Sequence, residues 1–176
     1  MLIRLQDISK YQANRTLYEN VNLVIDDNSR VACVGPNGSG KTTLVKIIVG
    51  IEEPSSGEVF RTDARFGYMP QGFISEGKET LRELVKRLCG LDRLEAQLQQ
   101  SAHLLPETLQ DILEQYESAG GYTFEYRLHQ LLQGFGLEET DSDKSFSSLS
   151  QGQQSKVLLI SNLLKPGDML ILDEPT

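Results

Sequence analysis

The fold of this chain is decided by the segment Gly35-Pro36-Asn37-Gly38-Ser39-Gly40-Lys41-Thr42. A short apolar run, Val31 to Val34, precedes it, and Lys41 to Val49 follows with the pattern of a helix that ends at Gly50. The spacing G-x-x-x-x-G-K-[ST] is typical of a phosphate-binding loop, because glycines let backbone N–H groups turn inward and the helix points its positive end at the anion. A glycine-rich turn without a ligand is the disfavoured alternative, since a buried strand and a helix are predicted on either side.

The residues of this loop have separate predicted roles. The Lys41 ammonium is expected to reach the β- and γ-phosphates, and the Thr42 hydroxyl is expected to ligate Mg²⁺. We therefore predict ATP and Mg²⁺ as ligands. The predicted nucleotide contacts of the loop are Gly35, Pro36, Asn37, Gly38, Ser39, Gly40, Lys41, Thr42 and Thr43.

A second apolar run, Met169 to Leu172, ends in two carboxylates, Asp173 and Glu174. Alone this pattern is weak evidence, because many buried strands end in aspartate. Together with the phosphate-binding loop it predicts that Asp173 holds Mg²⁺ and that Glu174 is the general base for an attacking water. The strand is expected to lie beside Val31 to Val34, because the ends of both must converge on one phosphate site.

The rest of the chain is predicted to be strands first and helices later. Residues Val21, Leu23 and Ile25 alternate as in a half-buried strand, and two further short strands are predicted around Val59 and at Phe66 to Tyr68. A last helix is predicted over 153–165, with Val157, Leu158 and Leu164 in the core. Apolar side chains at helical spacing in between are interpreted as packing faces: Leu81, Leu84, Val85, Leu88, Leu109, Ile112, Leu113 and Tyr116.

Length and composition fit one globular domain. The chain has 176 residues, 39% hydrophobic and 24% charged, and its net charge of −8 argues against general attraction to nucleic acid, so direct DNA binding is not expected. No stretch approaches the roughly 18 apolar residues of a membrane span. Cys33 and Cys89 are interpreted as reduced, partly buried thiols of a cytoplasmic protein, with a redox role as the weaker alternative.

Three further segments carry a resemblance to a known family. Leu149-Ser150-Gln151-Gly152-Gln153 resembles the LSGGQ signature of ATP-binding-cassette (ABC) proteins, with Gln151 in place of the first glycine. Tyr68-Met69-Pro70-Gln71 resembles the segment at that family's Q-loop, and Asp173-Glu174-Pro175-Thr176 matches the run after its second strand. These motifs occur in the family's order along the whole chain.

This resemblance implies a fold and a domain organisation. The expected fold class is α/β, a P-loop NTPase of ABC type with an antiparallel β-subdomain and an inserted helical subdomain. The expected single domain, 1–176, would comprise a P-loop core and β-subdomain (1–71), a helical subdomain (72–148) with a short arm (92–118), and the signature helix with the second strand (149–176).

The resemblance also assigns the remaining site residues. Gln71 would contact Mg²⁺ and water, while Ser150, Gly152 and Gln153 would contact the ATP held by a second cassette, in the same chain or in a dimer partner. Tyr11 is the candidate for stacking on adenine, and a tyrosine that only packs in a strand is the alternative. His103 and His129 lie in the helical region and are not assigned a role in the site.

The narrower resemblance is to the first cassette of ABC-F proteins, which implies a partner on the ribosome and a role in translation or antibiotic resistance. It is carried by Gly57-Glu58-Val59, by the segments 66–71, 118–122 and 131–137, and by the signature helix. The alternatives are an ATP-binding subunit docked on a transmembrane transporter protein, and a fragment that only binds nucleotide.

Charge limits how the arm could act. From Asp92 to Glu117 there are six acidic residues and one basic residue, Arg93, so RNA phosphates would repel this region. A better candidate patch for RNA lies before the arm and consists of Lys78, Arg82, Lys86 and Arg87. The alternative is that these basic side chains pair with the acids Glu76, Glu79 and Glu83 that lie between them in the sequence.

The chain stops at Thr176, before the strands that follow in this family. From this we expect that the chain is a truncated form with an uncovered sheet edge, that it is less soluble than a longer version, and that its isolated turnover is very slow.

Overall fold

The computed structural model describes residues 1–12, 15–69, 78–100, 105–165 and 167–173. These residues form two compact units. The first contains the described residues of Met1–Tyr68 together with Gly167–Asp173, and the second contains the described residues of Met69–Pro166.

An antiparallel sheet of three strands forms the first part of the first unit. The strands are β1 (Ile3–Gln12), β2 (Arg15–Ile25) and β3 (Ser56–Arg61), in the order β2-β1-β3. β1 is the central strand and buries Ile3, Leu5 and Ile8. Its pairing is interrupted by register shifts, and beside them Gly57 is so close to β1 that a Cβ would lie 2.4 Å from the Asp7 carbonyl oxygen. The alternation predicted for the end of β2 is confirmed.

Helix α1 (Lys41–Val49) has the predicted bounds and buries Ile47 and Ile48, of which Ile48 packs in one cluster with Ile3, Leu5 and Ile8 of β1. It ends at Gly50 in a left-handed conformation, φ 80°, which few residues other than glycine adopt. From β3, Arg61 also donates hydrogen bonds to the last carbonyls of the helix, with Nε 2.8 Å from the Ile48 oxygen and Nη2 on the Ile47 oxygen. Helix and sheet are thereby joined at the C-terminal end of α1.

The two remaining strands, β4 (Phe66–Met69) and β5 (Met169–Leu172), pair with each other. The predicted strand Val31 to Val34 is wrong: these residues are in no strand, and Val31 and Val34 are 55% and 89% exposed. A cavity of about 580 Å³ separates Val31–Cys33 from β5. An apolar run becomes a strand only where a neighbour supplies backbone hydrogen bonds, and across this cavity β5 does not supply them.

The absence of a strand at Val31 to Val34 also changes the exposure of a cysteine. Cys33 is exposed, so the prediction of a partly buried thiol is wrong for this residue, because the strand that would have covered it does not form. Cys89, in the second unit, is partly buried as predicted. Burial raises the pKa of the Cys89 thiol to about 11, against which the nearby charges of Lys165 and Arg127 act only in part. Cys89 is therefore a protonated thiol at neutral pH.

The described residues of the second unit form five α-helices: α2 (Leu81–Cys89), α3 (Leu91–Gln99), α4 (Pro106–Ser118), α5 (Phe124–Gly134) and α6 (Gln151–Leu164). The predicted face of α2 lies in one core with side chains of α5 and α6, whereas of the predicted face of α4 only Tyr116 packs against that core. Its fully buried side chains each contribute about 1.5–3 kcal/mol relative to an exposed side chain. They include Leu81, Leu84, Val85, Leu91, Leu128, Leu132, Phe146, Val157 and Ile160. Leu113, by contrast, is 38% exposed on α4 and lies outside this core.

The basic residues of α2 are paired with acids. Arg87 binds Glu79 at 2.7 Å, Lys86 binds Glu95 of α3 at 2.9 Å, and Arg82 binds Glu125 of α5. Of the two alternatives for this patch, pairing is the one observed for these three residues, although two of the acids come from neighbouring helices. Among the residues that the structure describes, no helix is both long and apolar enough to cross a bilayer.

The Lys86–Glu95 pair also connects the hairpin of α3 and α4 to α2. The Tyr116 hydroxyl of α4 donates to the same carboxylate at 3.2 Å. The Tyr116 ring lies against Gly121, where a Cβ would be 2.3 Å from the ring, and it meets the Tyr122 ring edge to face at 5.2 Å. Glycine at position 121 is required by this contact.

Candidate functional site

The predicted phosphate-binding loop is an open turn at the N-terminus of α1. Gly38 and Gly40 have φ angles of 76° and 93°, and no side chain caps the helix at Gly40. The first-turn N–H groups of a helix have no partner within the helix, and here no capping side chain supplies one. The loop therefore presents the positive end of a helix to any anion that enters it.

Tyr18 of β2 packs closely against the phosphate-binding loop at Gly40. A Cβ on Gly40 would lie 3.0 Å from Cε1 of Tyr18 and 3.2 Å from Cβ of Leu17, so the strand approaches the glycine closely. Burial, and secondarily the charges of Glu52 and Cys33, raise the pKa of Tyr18 to about 12. Tyr18 is thus neutral at physiological pH. The sequence analysis missed this residue, because only the folded hairpin brings it to the loop.

Lys41 lies across the loop. Its Nζ donates to the carbonyl oxygens of Gly35 at 2.9 Å and Pro36 at 3.1 Å. An ammonium has three N–H donors and can exchange such carbonyls for phosphate oxygens. The position is therefore suited to the predicted role of Lys41.

Thr42 and Asp173 are brought together although they are far apart in sequence. The Thr42 hydroxyl donates to Oδ1 of Asp173 at 3.1 Å. Asp173 is 5% exposed, and its other oxygen, Oδ2, is buried without a hydrogen-bond partner among the described residues. A buried carboxylate oxygen without a partner is costly, and hydroxyl and carboxylate oxygens are ligands that Mg²⁺ prefers. These two residues fit the predicted metal.

Tyr68 of β4 is close enough to Asp173 to be affected by its charge. Burial first, and then the Asp173 carboxylate, raise the pKa of the Tyr68 hydroxyl. Tyr68 Oη is also buried without a hydrogen-bond partner in the described part of the chain. Two unsatisfied polar groups in one unit are consistent with a site whose ligands complete the hydrogen bonding.

The signature segment lies in the second unit and begins α6. Oγ of Ser150 accepts from the Gln153 N–H at 3.3 Å, and the Ser150 N–H donates to Oε1 of Gln153 at 2.9 Å. This capping box moves the start of α6 two residues ahead of its predicted start. Because Oγ acts as an acceptor, its own hydrogen remains able to donate. Gly152 has open space where a side chain would be.

Other predicted site residues are less informative. Tyr11 is 47% exposed, and its hydroxyl donates to Glu19 at 3.2 Å. Tyr11 lies in β1 opposite Thr16, which is the strand position that the alternative requires, and its stacking on adenine stays a prediction. Gln71 and Glu174 lie outside the described residues.

A family model described as ABC transporter matches residues 18–176. The chain belongs to the ABC transporter family. Among curated relatives, the tylosin resistance ATP-binding protein TlrC of Streptomyces fradiae is 31% identical over 99% of this chain and 34% of its own length. The zinc import ATP-binding protein ZnuC of Rickettsia bellii is 32% identical over 99% of this chain and 62% of its own length. The chain thus spans about a third of the first relative and less than two thirds of the second.

Solved structures agree on the fold. An ATP-binding subunit of an ABC transporter matches with a TM-score of 0.72 and 26% identity, covering 99% of this chain and 67% of that one. The dimeric bacterial ABC transporter cassette MJ0796 matches with the same TM-score of 0.72 and 24% identity, over 99% of this chain and 75% of that one. The predicted fold class is confirmed, and the chain is an ABC-type ATPase domain with ATP and Mg²⁺ as its cofactors.

Proposed function

We propose that the loop 35–43 binds Mg-ATP and that hydrolysis occurs at a composite site completed by a second cassette. The observation that carries the proposal is the Thr42–Asp173 pair, with Oδ2 of Asp173 buried and unpaired, in the same unit as the uncapped start of α1. An anion would bind the unbonded N–H groups at the start of α1, and a cation would bind the unpaired oxygen of Asp173.

Each residue then has a defined task. Lys41 leaves the Gly35 and Pro36 carbonyls and binds the phosphates, while Thr42, Asp173 and Gln71 hold the metal. When bound by these residues, Mg²⁺ would supply positive charge to offset that of the β- and γ-phosphate oxygens. Glu174 accepts the proton of the attacking water, and Tyr11 stacks on adenine.

The second cassette is needed because Ser150, Gly152 and Gln153 serve a nucleotide bound elsewhere. Ser150 can donate its hydroxyl hydrogen to a phosphate oxygen without giving up the cap of α6. Support for such pairing comes from the matched cassette MJ0796, which is described as dimeric. The pair could be two halves of one longer chain or two copies.

Binding is tested by thermal unfolding with and without Mg-ATP. At about 100 times its dissociation constant, a ligand stabilises the folded state by about 2.7 kcal/mol. Lys41→Ala should abolish this stabilisation, whereas Lys46→Ala, in the last turn of the same helix, should retain it. An equal stabilisation in wild type and Lys41→Ala would refute the phosphate site.

Hydrolysis is tested in the complete gene product. Glu174→Gln should keep ATP binding and slow turnover about 10²–10⁴-fold, the contribution of a positioned general base. Glu58→Gln, an exposed change on β3, is the matched control. Turnover of Glu174→Gln within a few-fold of wild type would show that another group is the base.

For the biological role we propose a cytoplasmic ABC-F protein that acts on the ribosome, in translation or antibiotic resistance. Support comes from the relative named for tylosin resistance, and from the small share that the chain covers of that relative, 34%, and of the ATP-binding protein YdiF of Bacillus subtilis, 29%. A protein of that length has room for a second cassette. The relatives named for zinc import favour the alternative, an ATPase subunit of a membrane transporter.

Sedimentation with ribosomes separates the two roles. The complete gene product carrying Glu174→Gln should retain bound ATP and pellet with ribosomes in an ATP-dependent manner. Lys41→Ala in the same background should remain in the supernatant. Failure to pellet, together with ATP-dependent co-purification with an integral membrane protein, would favour the transporter role instead.

A further inference from the structure

The guanidinium of Arg15 lies at the phosphate-binding loop. Arg15 is the first residue of β2 and pairs in register with Gln12 at the end of the β1–β2 hairpin. Its Nη1 is 3.9 Å from the point that a Cβ on Gly38 would occupy. Because Gly38 has no side chain, nothing of that residue stands between the guanidinium and the loop backbone.

Arg15 has no partner in the described part of the chain. It is exposed, and no carboxylate or carbonyl among the described residues pairs with it. Three other arginines of the same unit do have partners: Arg61 binds the end of α1, Arg65 binds Asp168 at 3.9 Å, and Arg4 lies over the Phe60 ring at 5.9 Å. Arg15 therefore keeps its hydrogen-bonding capacity for something outside the fold.

The chemistry of the two groups is complementary. A guanidinium presents five N–H donors in a plane that matches the non-bridging oxygens of a phosphate. The loop beside it offers an uncapped helix N-terminus and the Lys41 ammonium, both of which favour the same anion. A further cation at Gly38 adds to this field from the sheet side of the loop.

We propose that Arg15 is a binding residue for the phosphate chain of the bound nucleotide, reaching it past Gly38. The inference rests on the proposed Mg-ATP site and adds a residue that the loop motif does not contain. Its ligand is phosphate rather than the base, because the part of the loop it faces is the part that surrounds phosphate. The adenine base is assigned to Tyr11, as proposed above.

The test compares two probes by titration calorimetry, Mg-ATP and Mg-tripolyphosphate, since the second has no base or ribose. Arg15→Ala should weaken both about tenfold, the loss expected when one charge-assisted hydrogen bond is removed. Arg15→Lys should lie between wild type and alanine, because an ammonium keeps the charge and loses the planar fork. Arg4 pairs with Val24 at the other end of the hairpin, so Arg4→Ala is the control and should bind both probes with wild-type affinity.

The outcomes are distinct. Weaker binding of Mg-ATP with unchanged tripolyphosphate binding would place Arg15 at the base or ribose and overturn the proposal. Wild-type affinity of Arg15→Ala for both probes would also overturn it. If the wild-type protein binds neither probe, the proposed Mg-ATP site itself fails, and this inference fails with it. Equal melting temperatures of Arg15→Ala and wild type without ligand exclude unfolding as the cause.

Discussion

The helices α1 and α6 follow the two glycine-containing motifs, but their N-termini differ. α1 starts at a left-handed Gly40 without any side-chain cap. α6 starts at Ser150, where a capping box with Gln153 satisfies the N–H groups of Ser150 and Gln153. No side chain of the described residues caps α1 in this way, so its first-turn N–H groups and the partial positive charge of the helix are available to an anion. The two helices therefore differ in how many of their first N–H groups are already bonded to side chains.

Their C-termini share an arginine contact, although α1 ends at a left-handed Gly50 and α6 at an extended Lys165. Arg61 donates to the carbonyls of Ile47 and Ile48 at the end of α1, and Arg127 donates to those of Leu163 at 3.0 Å and Leu164 at 3.3 Å at the end of α6. In each case an arginine from another element of the same unit binds two final carbonyls. The two helices thus share an arginine at their last carbonyls and differ in how their first turns are capped.

The largest loss of stability and of nucleotide binding is expected from a side chain added at Gly40, at the start of α1. Gly40→Ala forces alanine into φ 93° and a contact of 3.0 Å with Tyr18, and should cost about 3 kcal/mol of unfolding free energy and abolish Mg-ATP stabilisation. Gly136→Ala, at φ 68° with nothing within 4 Å of the new Cβ, should cost only about 1 kcal/mol. Urea unfolding of both variants measures the difference. Equal losses would show that the contact with Tyr18 is unimportant.

The second effect concerns the unpaired oxygen of Asp173. Asp173→Asn removes a buried charge, so without ligand it should stabilise the protein by about 1 kcal/mol. It should also remove the dependence of ATP stabilisation on Mg²⁺. Melting curves with ATP in the presence of Mg²⁺ or a chelator test both points. Asp168→Asn, at an exposed pair with Arg65, is the control and should alter neither quantity.

A third test opens the start of α6. Ser150→Ala removes the cap and should lower the unfolding free energy by about 1 kcal/mol, whereas Ser150→Thr keeps an acceptor oxygen and should lose less. Chemical denaturation of the two variants compares them. A threonine variant as unstable as the alanine variant would mean that the hydrogen bond to Gln153 contributes little.

The smallest effect is expected at the C-termini. Arg61→Lys and Arg127→Lys each lose the second carbonyl contact and should each lower the unfolding free energy by about 0.5–1 kcal/mol, close to one hydrogen bond. The two losses should be similar when measured by the same denaturant titration. A loss of unfolding free energy several times larger for one variant would show that the two arginine contacts do not contribute equally.

Sequence alone was sufficient where the information is local. The glycines and Lys41 of the loop specify a turn and a helix over a few residues, and the bounds of α1 were predicted correctly. The buried face of α2 in the second unit followed from its spacing in the same way, whereas most of the predicted face of α4 lies outside the core. The pairing of Thr42 with Asp173 was predicted because two motifs with complementary chemistry were present.

What failed depended on distant parts of the chain. Val31 to Val34 has the composition of a buried strand, but its state is decided by whether another strand pairs with its backbone. Tyr18 and Arg15 reach the loop only because the register of β1 and β2 brings their side chains there. No motif records such a register. The assignments of Gln71 and Glu174 remain predictions.

The attachment of the α3–α4 hairpin has a consequence for how this domain can diversify. Glu95 of the hairpin binds Lys86 of α2, and Tyr116 donates to the same carboxylate, so these bonded residues are distant in sequence from the segment between Gln100 and Leu105. A change in the length of that segment would therefore leave the bonds of Glu95 and Tyr116 in place, so this part of the domain can vary without loss of its attachment to α2.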